Sequence, residues 1–111
     1  MDTSLVSYLL PVGVLDFFEL TKHNIKNEVI HFYLEEKNEI PNEYASYKVH
    51  SKGFTPEITI QDFPLRGKSV YLHIRRRRWV ILSTQKIVTR DWDVVAKGTR
   101  MTSEFASFLK E

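Results

Sequence analysis

Cysteine is absent from the chain, which excludes disulfides and thiolate-held metal sites and fits a reducing cytosol. No stretch approaches the run of about 18 apolar residues that a membrane-spanning helix needs. The N-terminus also lacks the basic segment and long apolar stretch of a secretory signal. A cytoplasmic protein with no membrane span is therefore expected. Only four glycines occur, and none belongs to a Gly-rich phosphate loop or a nucleophile elbow. The histidines, His23, His31, His50 and His73, are not paired at ligand spacing, so no zinc site built from histidine alone is expected. Asp91 and Asp93 flank Trp92 and would share a face on a strand. A carboxylate pair without a third ligand or a base is a weak catalytic motif, and no enzyme activity and no cofactor are expected.

Arginine is missing from the whole first half. Residues 1–50 hold four Lys, no Arg and eight acidic residues, a net charge of −4, whereas residues 51–111 hold five Lys, seven Arg and six acidic residues, a net charge of +6. The overall +2 conceals this polarity. Such asymmetry points to a polyanion surface, nucleic acid above all. The length of 111 residues suits one domain, 1–111, with a modest core. Within it, 1–50 reads as an acidic helix plus hairpin, and 51–111 as basic β-hairpins plus a terminal helix.

Periodicity predicts an α+β fold: a small antiparallel β-sheet of hairpins with short N-terminal and C-terminal helices. Leu5, Tyr8 and Leu9 recur at helical spacing until Pro11 and Gly13 interrupt them, with another helical turn expected around Val14 to Phe18. A hairpin follows, turning at His23-Asn24-Ile25-Lys26-Asn27 and returning through Glu28 to Glu36 with Ile30, Phe32 and Leu34 on one face. Thr55 to Phe63 alternates as a strand, Pro64 to Lys68 has turn composition, and Ile87 to Val95 reads as a return strand. Thr102 is a plausible N-cap for a last helix carrying Phe105, Phe108 and Leu109 on one face. That helix runs to the final residue and is expected to continue into, or pack against, a further segment.

The most informative stretch begins at Ser69. Val70, Leu72 and Ile74 form an apolar face, while Tyr71 and His73 alternate with them. Arg75-Arg76-Arg77-Arg78 then places charge on both faces, and unpaired guanidinium groups are almost never fully buried. The strand is therefore expected to leave the core near Ile74 and present arginines to phosphate, which guanidinium matches with paired donors. A solvated charge run protecting a strand end is the plainer account of the same residues. Trp79 fits either stacking on bases beside the basic run or a core position; Trp92, Phe54 and Phe63 read as core.

The stretch from Ile58 to Trp79 resembles the N-terminal region of bacterial insertion-sequence transposases of the ISAon type. Asp62-Phe63-Pro64, Gly67, Val70, Leu72, Ile74 and Arg77-Arg78-Trp79 occupy the positions of that region's pattern. The likeness continues loosely through Leu9-Leu10-Pro11, the first hairpin, Val49-His50-Ser51, and Arg90-Asp91-Trp92 to Thr102. It is more distantly similar to the zinc-ribbon head of related transposases with a DDE-type catalytic domain. That family carries cysteine pairs before His50 and after Trp79, and this chain has none, so the resemblance implies a metal-free, zinc-ribbon-like head held by its sheet and helices. It further implies a non-catalytic module whose catalytic partner lies downstream or on a separate polypeptide.

The expected function is recognition of transposon-end DNA, the terminal inverted repeats. Arg66, Lys68, Arg75, Arg76, Arg77, Arg78 and Trp79 would form the contact surface, and Arg90, Lys97 and Arg100 would extend it. The alternative from another class is a protein-interaction module docking on the transposase catalytic subunit, with the arginines paired to acidic groups there.

Overall fold

The computed structural model describes residues 3–111. Its order is α1 (Thr3–Val6), α2 (Val14–Phe17), β1 (Phe18–Lys26), β2 (Val29–Glu36), a 3-10 turn (Asn42–Tyr44), β3 (Val49–Phe54), β4 (Ile58–Leu65), β5 (Lys68–Arg75), β6 (Arg77–Ile81), β7 (Lys86–Val88), α3 (Trp92–Gly98) and α4 (Ser103–Leu109). The fold is α+β. None of the described helices is long and apolar enough to cross a membrane. Two units are distinguished: a sheet unit, Glu19–Arg90, and a helical unit combining Met1–Phe18, described from residue 3, with Asp91–Glu111.

The sheet unit contains two sheets, one ordered β1-β2-β5-β4 and the other β3-β6-β7. Two-residue turns close the hairpins of the first. Asn27 and Glu28 have φ of 53° and 62°, and Arg66 and Gly67 have φ of 51° and 78°. Positive φ at both central residues matches the twist of the flanking strands, as type I′ hairpins require. The first turn lies later than its polar composition suggested, since His23 to Lys26 still belong to β1. The pairing also departs from an all-antiparallel sheet. β2 and β5 run parallel, from Val29 opposite Ser69 to Glu35 opposite Arg75. Between them the chain sends β3 into the second sheet and returns as β4, supplying the long crossover that a parallel pair demands. One face of this first sheet is buried through Phe32, Leu34, Ile60, Val70, Leu72 and Ile74, as the alternation predicts.

In the second sheet β6 is central, antiparallel to β3 and to β7. Val49, Trp79, Ile81 and Val88 form its apolar cluster, with Tyr44 packed against them. β7 ends at Val88, so the return strand expected over Ile87 to Val95 is short, and its second half is helix instead. The reason is local. The Asp91 side chain accepts from the N–H groups of Asp93 and Val94 and caps α3, an arrangement that satisfies donors a helix start would otherwise leave open.

The helical unit is organised around Trp92. The Phe18 ring lies 5.4 Å from it and nearly parallel, and Phe17 meets it edge-on at 5.8 Å. Thr102 caps α4 by accepting from Phe105 N–H at 3.1 Å, and Phe105, Ala106 and Leu109 are buried while Phe108 stays partly exposed. Gly13 has φ of 84°, and a Cβ there would meet the Met101 backbone nitrogen at 3.3 Å. Both conformation and space therefore call for glycine. Gly13→Ala is expected to lower the unfolding free energy by about 1–2 kcal/mol, read as an earlier urea midpoint; an unchanged midpoint would show that the turn relaxes.

Candidate nucleic-acid interface

The arginine run joins the two sheets. β5 ends at Arg75, Arg76 turns the corner, and β6 begins at Arg77. Thr55 pins the corner by donating both its N–H, at 2.8 Å, and its hydroxyl, at 3.3 Å, to the Arg76 carbonyl. Ile74 is the last buried residue of β5, and the strand leaves the first sheet one residue later, after Arg75. It does not project into solvent, because Trp79, Val80 and Ile81 are buried in β6.

Each guanidinium meets a different environment. Arg75 is about half exposed and pairs with Glu35 of β2 at 2.8 Å. The Arg77 N–H donates to Glu36 Oε1 at 2.9 Å, its Nε donates to the Glu36 carbonyl at 3.1 Å, and its Nη1 donates to Ser51 Oγ at 2.6 Å. Phe54, expected in the core, is half-buried with the Arg75 and Arg77 guanidiniums 4.5 and 4.6 Å from its ring, a cation–π arrangement. Arg78 donates from Nη2 to the Lys52 carbonyl at 3.3 Å, and its Nε is buried without a hydrogen-bond partner. Trp79 is 0% exposed and its Nε1 donates to Asn38 Oδ1 at 3.0 Å. Its ring cannot stack on a base. The core position wins because Trp79 falls on the same face of β6 as Ile81, opposite Val88 of β7.

The second correction concerns Arg90. Rather than extending a basic surface, it donates from Nε to Glu36 Oε2 at 2.8 Å, binds the Glu39 carbonyl through Nη2, and lies 5.5 Å from the Trp79 ring. Glu36 is 1% exposed. Burial pushes its pKa above the ordinary carboxylate value, while the Arg90 hydrogen bond, the Arg77 N–H and the two guanidinium charges pull the other way. Sequence reasoning missed this residue, although a clue was present: Glu36 continues the face of Ile30, Phe32 and Leu34 and so occupies a core position by strand parity.

Of the other expected contact residues, Arg66 is exposed at the tip of the β4–β5 hairpin and Lys68 is half-buried beside it. Lys97 and Arg100 are exposed and belong to the helical unit. Asp91 and Asp93 do not face one another on a strand. Asp91 is the α3 cap, and Asp93 pairs with Lys110 at 3.1 Å. Phe63, expected in the core, is 85% exposed, because it follows Thr59 and Gln61 on the outward face of β4, opposite the face that carries buried Ile60.

The second sheet is distinctive in charge. β3 (VHSKGF), β6 (RRWVI) and β7 (KIV) contain no acidic residue. By strand alternation Arg78 lies on the opposite face of β6 from Trp79, the face shared with His50 of β3, and His50 and Lys52 are exposed. The first sheet carries a different constellation on its outer face. His31 Nδ1 and His73 Nε2 lie 2.8 Å apart, and His73 Nδ1 lies 3.2 Å from Thr59 Oγ1 and 3.8 Å from Glu57. Histidines scattered in sequence are thus paired in space. Comparison of this chain with protein-family profiles, with curated proteins and with solved structures finds no match.

Breaking a buried ion pair by removing one partner leaves an uncompensated charge. Glu36→Ala is expected to cost about 3–5 kcal/mol of stability, measured by chemical denaturation, with Glu36→Gln costing less because the amide oxygen still accepts from Arg77. A loss under about 1 kcal/mol for Glu36→Ala would mean that the pair is not an anchor.

Proposed function

We propose that this chain is a non-catalytic DNA-binding module of an insertion-sequence transposase, and that it recognises the ends of its element as duplex. The observation that carries the reading is the acid-free second sheet, on which Arg78 and Lys52 have no carboxylate partner among the described residues. Phosphate oxygens are the ligands that such a surface favours. Arg75 and Arg66 add to it. The Arg75–Glu35 pair is partly solvated, and solvent-screened pairs of this kind are weak enough to exchange for phosphate. Arg77 and Arg90 act differently: they hold Glu36 and keep the strand carrying Arg78 in position. The resemblance of Ile58 to Trp79 to transposase N-terminal regions supplies the substrate class.

Binding to terminal inverted-repeat duplex is expected to weaken steeply with salt, and Lys52→Ala with Arg78→Ala to reduce the log–log slope by about 1 per phosphate contact removed. Arg77→Ala is expected to lower stability more than it changes that slope. Affinity independent of salt, or no affinity for duplex, would overturn the reading.

A second reading has its own support in the helical unit, where Leu5, Tyr8 and Val12 are 63%, 85% and 51% exposed. Exposed apolar residues close together in sequence suit docking on a catalytic subunit. DNA binding that arises only when that subunit is added would favour it.

A further inference from the structure

The pair formed by His31 and His73 has no part in the proposed DNA contact, and its geometry is specific. Their ring centroids are 5.1 Å apart with planes 22° from parallel, yet two ring nitrogens approach to 2.8 Å. Imidazole N–H groups and lone pairs lie in the ring plane, so the rings meet edge to edge, not face to face. One nitrogen must donate and the other accept. The contact therefore requires a proton count of one between the two facing nitrogens, and it is lost when both carry a proton.

The surroundings limit how a second charge could be accommodated. From β4 and the residues before it come Thr59 and Glu57, whose carboxylate is 3.8 Å from His73 Nδ1. From β2 comes Tyr33, its ring 4.5 Å from that of His73, and from β5 comes Tyr71, 5.9 Å from His31. β1 adds Lys22, a further positive charge 5.0 Å from the Tyr33 ring. Glu35 and Arg75, next along the same two strands, neutralise one another at 2.8 Å. Among the described residues Glu57 is thus the one carboxylate directed at the pair, and it faces His73 alone. Burial, with His31 adding to it, holds the His73 pKa below the ordinary value, and Glu57 only partly offsets this.

We propose that His31 and His73 form a one-proton lock across the seam between β2 and β5, and that a second proton opens it. The seam is the parallel junction of the first sheet. Two positions beyond Tyr33 opposite His73 it holds Glu35 opposite Arg75, and Glu36 then receives Arg77. Opening it loosens the clasp on the arginine segment. The direction follows from the depressed His73 pKa: its contribution to stability is full above the unfolded value of about 6.5 and is lost as pH falls below it towards the folded value.

The test uses the native chain first. Imidazole ¹⁵N shifts followed by NMR between about pH 7.5 and pH 5 are expected to show His73 taking up its proton below about 6.5, and to show that step moving up in His31→Gln. Amide exchange of β5 and of Arg77, corrected for intrinsic rates, is expected to accelerate over the same range, by about tenfold for each unit of depression. His31→Gln, which leaves one imidazole and no shared proton, is expected to reduce that acceleration by the part the pair contributes, leaving the part due to burial of His73. Glu36 is present in both proteins, so its own titration cancels in the comparison. A His73 step that His31→Gln leaves unmoved would overturn the proposal, and so would equal pH dependence of exchange in the native chain and His31→Gln.

Discussion

A carboxylate with 1% of its surface exposed sets the terms for the sheet unit. Taking an ion the size of Glu36 out of water costs several kcal/mol even after relaxation, and only well-placed donors and an opposite charge offset that cost. The donors come from two distant places in the chain, the start of β6 through Arg77 and the end of β7's return segment through Arg90. One acidic residue at the end of β2 thus ties together segments 41 and 54 positions away. The same requirement assigns the arginines their roles. Those that reach Glu36 are structural, and those on the other face of β6 or at a hairpin tip take no part in holding it.

Trp79 is part of this arrangement. Its indole N–H donates to Asn38, and its ring lies beneath the Arg90 guanidinium. A buried tryptophan N–H normally finds a partner, and here that partner belongs to the segment immediately following Glu36. Basic and aromatic residues adjacent in sequence are therefore adjacent in space as support. The cation–π contacts of Phe54 with Arg75 and Arg77 extend the same logic to the opposite side of the junction.

Several features were legible because their causes are local. The Arg66-Gly67 turn, the Thr102 cap and the apolar faces of β2, β4 and β5 follow from residue type and alternation within a few positions. Asp91 as a helix cap and Glu36 as a core residue were equally local. The first was obscured by reading Asp91 and Asp93 as a strand pair, and the second because a charged residue at the end of a strand reads as solvated unless its partners are known. Phe63 was misjudged by weighing its size over its parity: it shares the outward face of β4 with Thr59 and Gln61. The parallel pairing of β2 with β5 had no local sign at all.

From the sequence alone come the α+β character, the segregation of charge, the strands and most of their faces, and the point at which the arginine strand must leave its first sheet. These depend on periodicity and on the cost of burying unpaired charge, both of which act along the chain. The tertiary structure decided which arginines are engaged by Glu36, that Trp79 is walled in, and that His31 meets His73. Each depends on which strands become neighbours and in what register. Such pairing is settled by the fit of whole faces and by a few buried polar contacts between residues some 40 positions apart, which no window of local sequence contains.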